Sequence, residues 1–135
     1  MGVQLWLLQA PAEQAETATV KGGTVKSKGS GFRGKGYVDF GSKEGHVEWY
    51  QENDGSPGKF RLGFRYAMED PDGGRPMKLL VNGKLVEEIE FKNTGSWDTD
   101  WKVIEVIARL GSGANRIRLE TVGQSGPNLD EVKVE

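Results

Sequence analysis

Apolar and polar residues alternate along several stretches of the chain, with the period of two that a half-buried β-strand requires. The clearest stretch is 60–66, where every second residue is aromatic or leucine. The same pattern predicts strands around residues 46–50, 77–82, 116–120 and 129–134. Residues 101–110 predict another long strand, because the β-branched side chains at 103–110 disfavour a helix.

Turn-forming residues separate these predicted strands. The pair Asn82 and Gly83 indicates a tight β-hairpin. Segments 54–58, 69–74 and 111–113 are rich in Gly, Pro, Asp and Ser, the residues that loops favour. Several short strands joined by turns within 135 residues predict a single all-β domain, an antiparallel β-sandwich.

The N-terminal segment 1–11 contains a short apolar run at 3–8. The run lacks the basic flank and the length of a secretory signal, and it is far shorter than a membrane-spanning helix. We interpret 1–11 as an N-terminal extension, either a first strand or a linker remnant, and 12–135 as the folded module. If the domain is secreted, its signal peptide belongs to a longer parent chain.

Composition excludes several classes of function. The net charge of −2 argues against nucleic-acid binding, and no stretch predicts membrane insertion. Without cysteine the chain has no disulfide, thiolate zinc site or cysteine nucleophile, and His46 is its one histidine. Carboxylates are plentiful, but a glycosidase pair needs a deep cleft, which a sandwich of this size rarely provides. We therefore expect no catalytic residues and no enzyme activity.

Tryptophans in the predicted loop 93–101 suggest binding instead. Trp97 lies in a turn, where an exposed indole can stack on the apolar face of a sugar ring. Trp101 begins a strand, and we expect it to cover the core. Trp49 alternates with Val47 and is also expected in the core.

Oxygen-bearing residues near both ends of the domain are compatible with a hard cation. Gln14 and Glu16 stand two residues apart, which would place them on one face of a strand. Asp130 lies near the other terminus, and the glycine-rich segment 28–36 can offer backbone carbonyls. Calcium takes six to eight oxygens from such a mixture. Solvated acidic residues are the alternative interpretation.

Taken in order, the motifs of residues 14–135 resemble carbohydrate-binding module family 35, which belongs to the same clan as family 6. The motifs that carry this resemblance lie at 14–19, 22–23, 34–38, 58–67, 81–83, 94–101, 113–119 and 126–130. The resemblance implies a β-jelly-roll with a structural calcium between Gln14, Glu16 and Asp130. Carbonyls from the loop around Ser30 and Arg33 would complete the metal ligands.

The resemblance also implies a sugar site in the loops at one end of the sandwich. Trp97 would stack on the sugar, Asn128 would bond its hydroxyls, and Tyr37 would form the opposite wall. Arg65 faces outward from its strand and suits a uronic acid carboxylate, because its planar fork donates two hydrogen bonds. A surface ion pair is the alternative role for Arg65.

Acidic residues in two loops could supply ligands to a second calcium ion. They are Glu69, Asp70, Asp72, Asp98 and Asp100. We favour turn-forming roles for them, and the sugar itself stays open among uronic acids, mannan and galactose-containing glycans.

The sequence thus predicts a non-catalytic, monomeric carbohydrate-binding module, with calcium as a structural cofactor. Its partners would be a polysaccharide and, in the same chain, the catalytic domain of a secreted polysaccharide-degrading enzyme. The alternative is a structural or protein-interaction sandwich of such an enzyme.

Overall fold

The computed structural model describes residues 12–71 and 73–135, which form two antiparallel β-sheets packed face to face. The predicted extension 1–11 and the predicted acidic residue Asp72 lie outside the described residues. The strands are β1 (Glu13–Gln14), β2 (Thr19–Lys21), β3 (Thr24–Lys26), β4 (Tyr37–Asp39), β5 (His46–Asn53), β6 (Gly58–Ala67), β7 (Arg75–Val81), β8 (Lys84–Phe91), β9 (Lys102–Leu110), β10 (Gly113–Thr121) and β11 (Asn128–Val134).

The two sheets have different strand orders. The first sheet runs β3-β4-β11-β6-β9, with β1 also pairing with β11, and the second runs β2-β5-β10-β7-β8. Sequence neighbours are therefore often in opposite sheets, as in a jelly roll. Within the described residues, no helix has the length and hydropathy needed to cross a membrane. The predicted all-β sandwich is confirmed.

The core lies between the sheets and is built by the alternation that the sequence shows. On β6, Leu62, Phe64 and Tyr66 are buried, and the ring of Trp49 from the opposite sheet lies 5.9 Å from that of Phe64. Burying such side chains stabilises the fold by roughly 25 cal/mol per Å² of apolar surface removed from water. The expected core position of Trp49 is confirmed.

The hairpin predicted at Asn82 and Gly83 joins β7 to β8. Both residues have positive φ, 52° and 83°, as a two-residue turn that matches the strand twist requires. Glycine reaches this region without a steric penalty, and asparagine enters it more readily than other residues.

The predicted placement of Gln14 and Glu16 on one strand face is wrong. β1 ends at Gln14, and Glu16 lies in a single 3-10 turn, Ala15–Thr17, closed by a bond from the Ala18 N–H to the Ala15 carbonyl. The turn buries Ala15 completely. The period-two rule holds only within a strand, so it does not apply across this boundary.

The strand connections form two groups at opposite ends of the sandwich. The hairpin end comprises segments 54–57, 82–83 and 111–112. The loop end comprises segments 40–45, 68–74, 92–101 and 122–127. The long segment 27–36 packs beside the loop end, where the Ser30 N–H donates to the Asp98 carbonyl at 2.9 Å.

Candidate functional site

A cavity of about 440 Å³ opens at the loop end, and we call it the aromatic pocket. Trp97, Asn128 and Tyr37 line it, so the fold brings these three predicted sugar-binding residues together from distant parts of the chain. Its charged lining consists of Lys26, Lys28, Asp39, Arg75 and Asp98. The volume lies within the range of small-molecule sites.

The Trp97 indole is half-buried and packs against the core. Its backbone carbonyl accepts a 2.7 Å hydrogen bond from Nδ2 of Asn128. Its loop is braced by Oγ of Ser96, which accepts from the N–H groups of Thr99 and Asp100. These contacts fix the indole in the pocket wall before any ligand arrives.

Arg75, which the sequence analysis missed, covers part of this indole. Its guanidinium carbon lies 4.6 Å from the centre of the Trp97 ring, a cation–π contact. Nη1 donates to Oγ of Ser125 and to the carbonyl of Gly126, both at 3.1 Å, and Nε lies 3.5 Å from Asp70. The arginine is therefore held on the ring from several directions.

Asn128 is the first residue of β11 and is 4% exposed. Among the described residues, no donor reaches its buried Oδ1 atom. A buried acceptor without a partner is unfavourable, and such atoms are few in native structures. This oxygen is an unpaired acceptor at the pocket wall, suited to a ligand hydroxyl or a cation.

Tyr37 is 2% exposed and meets two rings edge-on, Phe32 at 5.6 Å and Trp101 at 5.2 Å. Burial raises the pKa of its hydroxyl, and the nearby Asp98 carboxylate raises it further. The hydroxyl therefore stays protonated at neutral pH. The tyrosine forms a rigid wall rather than a mobile lid.

Arg65 lies outside the aromatic pocket. Its Nη1 donates to Oδ2 of Asp130 and to the carbonyl of Gly31, both at 2.7 Å, and its guanidinium lies 5.6 Å from the centre of the Trp101 ring. The carboxylate partner of Arg65 is thus one of the protein's own. This ion pair lies inside the protein rather than at its surface, because Asp130 is fully buried.

The first two predicted metal ligands converge on one glycine. A Cβ atom on Gly34 would lie 2.7 Å from Oε1 of Gln14 and 2.5 Å from Oε2 of Glu16. Within the part of the chain that the structure describes, Oε1 of Gln14 and Oε1 of Glu16 are both buried without a hydrogen-bond donor. Oε2 of Glu16 accepts from the Lys35 N–H at 2.9 Å, so the Gln14 oxygen and the second oxygen of the Glu16 carboxylate are the ones that a hard cation would satisfy.

The third predicted metal ligand, Asp130, is fully buried. Burial raises the pKa of its carboxyl group, against the opposing effect of the Arg33 N–H and Arg65. Arg33 donates its backbone N–H to both oxygens, at 3.1 and 3.0 Å. Beside it, the buried Glu131 accepts from Nε2 of Gln14 and from Nη1 of Arg33, each at 3.0 Å.

Of the two predicted carbonyl ligands, those of Ser30 and Arg33, the carbonyl of Ser30 already accepts from Nε1 of Trp101 at 2.9 Å. Among the described residues, no three Asp, Glu or His side chains cluster as a metal site by themselves. Any cation here would need the Gln14 amide and backbone carbonyls as well. The orphaned oxygens of Gln14 and Glu16 make such a mixed set fit calcium chemically.

Three of the acidic residues considered for a second calcium, Asp70, Asp98 and Asp100, have different surroundings. Asp98 lines the aromatic pocket, whereas Asp70 faces Arg75 and its carbonyl accepts the N–H of Gly73 in a turn. Oδ2 of Asp100 lies near Gly95 instead. The turn-forming roles favoured from the sequence agree with these contacts.

Solved structures of the same architecture decide the family. The chain is 33% identical to a family 35 carbohydrate-binding module from Clostridium thermocellum, with a TM-score of 0.85 over 92% of this chain and 95% of that one. It is also 33% identical to a family 35 module from Paenibacillus barcinonensis, with a TM-score of 0.86 over 93% and 98%. No protein-family model matches the chain. The chain belongs to carbohydrate-binding module family 35.

Relatives of this family 35 module are parts of much longer chains. The module is 42% identical over 132 residues to a Formosa agariphila protein named "Putative beta-glucuronidase", covering 97% of the module and 13% of that protein. It is 34% identical over 122 residues to an exo-beta-D-glucosaminidase of Amycolatopsis orientalis, covering 88% of the module and 12% of that enzyme. The module thus spans about an eighth of the curated relatives it matches. Like its family, it is a non-catalytic carbohydrate-binding domain.

Sequence reasoning passed over several neighbours of this module's predicted sites, among them Arg75 and Glu131. Arg75 stands at the start of a strand beside a charged loop, and nothing local indicates that it folds over an indole 22 positions later. Glu131 carried a signal that was available, because it directly follows Asp130 within a predicted strand. A carboxylate buried in a strand needs a partner, and both Asp130 and Glu131 are buried here, at a β-bulge between Leu129 and Glu131.

Proposed function

We propose that this module binds a uronic acid residue of a glycan in the aromatic pocket and thereby holds its parent enzyme on the polymer. The observation that carries the proposal is the convergence of Trp97, Tyr37 and Asn128 on one cavity. Aromatic walls suit the C–H faces of a pyranose, and the amide suits its hydroxyls.

The cations of the pocket support an acidic sugar. Arg75 and Lys28 both line the cavity, and Arg75 is held against the Trp97 ring. Because Nη1 and Nε of Arg75 are engaged within the protein, its guanidinium would attract a sugar carboxylate as a positive charge, and a neutral sugar lacks that attraction. The name of the 42% identical relative, a beta-glucuronidase, also points to uronic acids.

The module would act by proximity. A weakly bound anchor raises the local concentration of a linked catalytic domain near its substrate without chemistry of its own. A single shallow site yields modest affinity, because association entropy offsets most of the contacts. We infer a secreted parent enzyme that degrades an acidic polysaccharide, in keeping with relatives of which the module is about an eighth.

Calorimetric titration with glucuronic acid and with glucose tests the proposal. Wild type should bind the acid at least tenfold more tightly than the neutral sugar, and Trp97→Ala should lose binding of the acid. Tyr50→Ala is the matched control, because this aromatic is 60% exposed on β5 outside the aromatic pocket. Binding of neither sugar by folded wild type, or unchanged binding in Trp97→Ala, would contradict the proposal.

One observation favours the rival function, a protein-interaction sandwich. The Trp97 indole packs on the core and carries Arg75 on its ring, which leaves less of its face for a sugar. Arg75→Met discriminates between the two functions. If sugars bind, this variant should lose the preference for glucuronic acid while retaining neutral-sugar binding. If the loops instead contact a neighbouring domain, neither form should respond to any sugar.

We further propose a structural calcium at Gln14, Glu16 and Asp130, with carbonyls of the segment around Ser30 and Arg33. The orphaned oxygens of Gln14 and Glu16 support this site. When bound, the ion would supply positive charge against the buried Asp130 carboxylate, while Arg33 and Arg65 hold that carboxylate in place.

A chelator experiment tests the calcium site through stability rather than through sugar binding. Because a ligand of the folded state alone stabilises it by mass action, removing calcium should lower Tm, and adding it back should restore Tm. Glu16→Gln should shrink this shift, whereas Glu52→Gln, on an exposed position of β5, should leave it intact. An identical Tm for metal-loaded and chelated protein would exclude the site.

A further inference from the structure

We propose that the hairpin end carries a second, independent saccharide site, which takes a pyranose without a carboxylate. A cavity of about 390 Å³ lies there between the edges of the two sheets. Phe60, Leu110 and Val134 line it from the first sheet, and Gln51 lines it from the second. The volume falls within the range of small-ligand sites, and the proposal does not depend on the aromatic pocket.

Gln51 is the buried polar residue of this cavity. The inward positions of β5 are Val47, Trp49 and Gln51, so the strand that carries two core side chains ends its inner face with an amide. Gln51 is 5% exposed, and its Nε2 donates to the carbonyl of Glu52 at 3.2 Å. Among residues 12–71 and 73–135, no donor reaches its buried Oε1.

The neighbouring buried amide differs from Gln51, because both its oxygen and its nitrogen have partners. Asn115, the pairing partner of Gln51 on β10, is fully buried and satisfied on both sides of its amide. Its Oδ1 accepts from Asn82 and from the N–H of Gly111, and its Nδ2 donates to the carbonyls of Gly111 and Gly113. Gln51 Oε1 is outside this network, which leaves it for a ligand donor.

The cavity offers a complement to each of the two surfaces of a sugar ring, the apolar face and the hydroxyl groups. Its apolar side chains suit the C–H face of a pyranose, and the Gln51 oxygen suits a hydroxyl donor. At the rim stand the carboxylates of Glu52, Asp54 and Glu135, and no Lys or Arg lines the cavity among the described residues. This negative charge disfavours a uronic acid, whereas it is compatible with a neutral sugar and attracts an amino sugar.

The consequence is a module with two sugar sites of opposite charge at opposite ends. Two sites on one rigid body can engage two chain segments at once, which raises overall avidity without any new contact. Acidic units would occupy the loop end, and uncharged or amino units the hairpin end.

Backbone amide NMR titrations locate such a site directly. Methyl β-D-glucopyranoside should shift the amides of 51–56, Leu110 and Val134 in wild type and equally in Trp97→Ala. Gln51→Met keeps the side-chain volume but removes the acceptor. The apparent Kd for methyl glucoside, taken from these shifts, should rise at least fivefold in this variant. Glucosamine should reproduce the wild-type shifts, and glucuronic acid should not.

The outcomes separate the two sites. The second site would be overturned if neither methyl glucoside nor glucosamine shifts the amides of the hairpin end. Equal apparent affinities in wild type and Gln51→Met would also overturn it. Loss of the hairpin-end shifts in Trp97→Ala would also overturn it, because the sites would then be one. Failure of the aromatic pocket alone, seen as no shift around Trp97 with glucuronic acid, leaves these readouts unaffected.

Discussion

The two ends of the sandwich reach ordered structure by different physical means. At the loop end, charged pairs hold the segments that flank the aromatic pocket, with Arg65 on Asp130 at 2.7 Å and Arg33 on Glu131 at 3.0 Å. At the hairpin end, neutral amides close the turns, with Asn53 donating to the carbonyls of Ser56 and Gly111. Charge pairing thus organises one end, and hydrogen bonding by neutral amides organises the other. Salt, metal and charge-removing substitutions should therefore act mainly on the loop end.

Breaking the Arg65–Asp130 pair should have the largest effect. In calcium-free protein, Arg65→Met leaves the Asp130 carboxylate buried without a cation, which costs about 3–5 kcal/mol of unfolding free energy. Urea unfolding measures this loss. The double variant Arg65→Met with Asp130→Asn should recover part of it, because the uncompensated charge is gone. A loss under about 1 kcal/mol would mean that charge pairing does not organise the loop end.

The matched break at the hairpin end is Asn115→Ala. It strands the N–H of Gly111 and two carbonyls, so we expect a loss of about 1–3 kcal/mol. Unlike the previous variant, its unfolding free energy should respond to neither calcium nor 0.5 M NaCl beyond the wild-type response. Glucuronic acid binding at the other end should be unchanged. A marked calcium dependence of this loss would contradict the statement that metal acts mainly on the loop end.

Gly34→Ala sharpens the comparison at the predicted calcium site. Gly34 has φ of +68°, where an L-residue pays about 1–2 kcal/mol, and its new Cβ would press on Gln14 and Glu16. The chelator-induced change in Tm should shrink in this variant. Gly58→Ala serves as the control, because a Cβ there meets nothing within 4 Å. Equal chelator responses in both variants would count against the convergence of Gln14 and Glu16 on a cation.

The smallest expected effect concerns His46, the one histidine of the chain. Partial burial lowers its pKa, and Arg118 lowers it further. The unfolded state then binds more protons, so the unfolding free energy falls as pH drops from above 6.5 toward the folded pKa. His46→Gln should flatten this slope between pH 7.5 and 5.5 in urea unfolding, with binding at either end unchanged. A steeper slope in the variant would reverse the sign of the argument.

Much of the fold was predictable because strand alternation and turn chemistry are local. The period-two pattern of 60–66 becomes part of β6, and Asn82 with Gly83 forms the predicted hairpin. The error at Gln14 and Glu16 arose where a two-residue strand gives way to a 3-10 turn. Short elements carry too few residues for a period to be read, so their boundaries escaped prediction.

The candidate sites divide in the same way. Trp97, Asn128 and Tyr37 were expected in one site, and they line one pocket. Arg75 was missed, and Arg65 found its carboxylate inside the protein, since both partnerships join residues far apart in the chain. Gln51 was also missed, because a glutamine in an alternating strand gives no sign of whether its oxygen will find a donor.

By itself, the sequence determined the all-β class, the buried faces of the long strands, the main turns and the resemblance to one binding family. These depend on local periodicity and on the order of motifs. The tertiary structure decided which charges meet, which amide oxygens lack partners, and that one pocket is lined by Lys, Arg and Asp whereas the other has only carboxylates as its charged lining. Those properties depend on distances across the sheets, which side-chain type and spacing along the chain do not set.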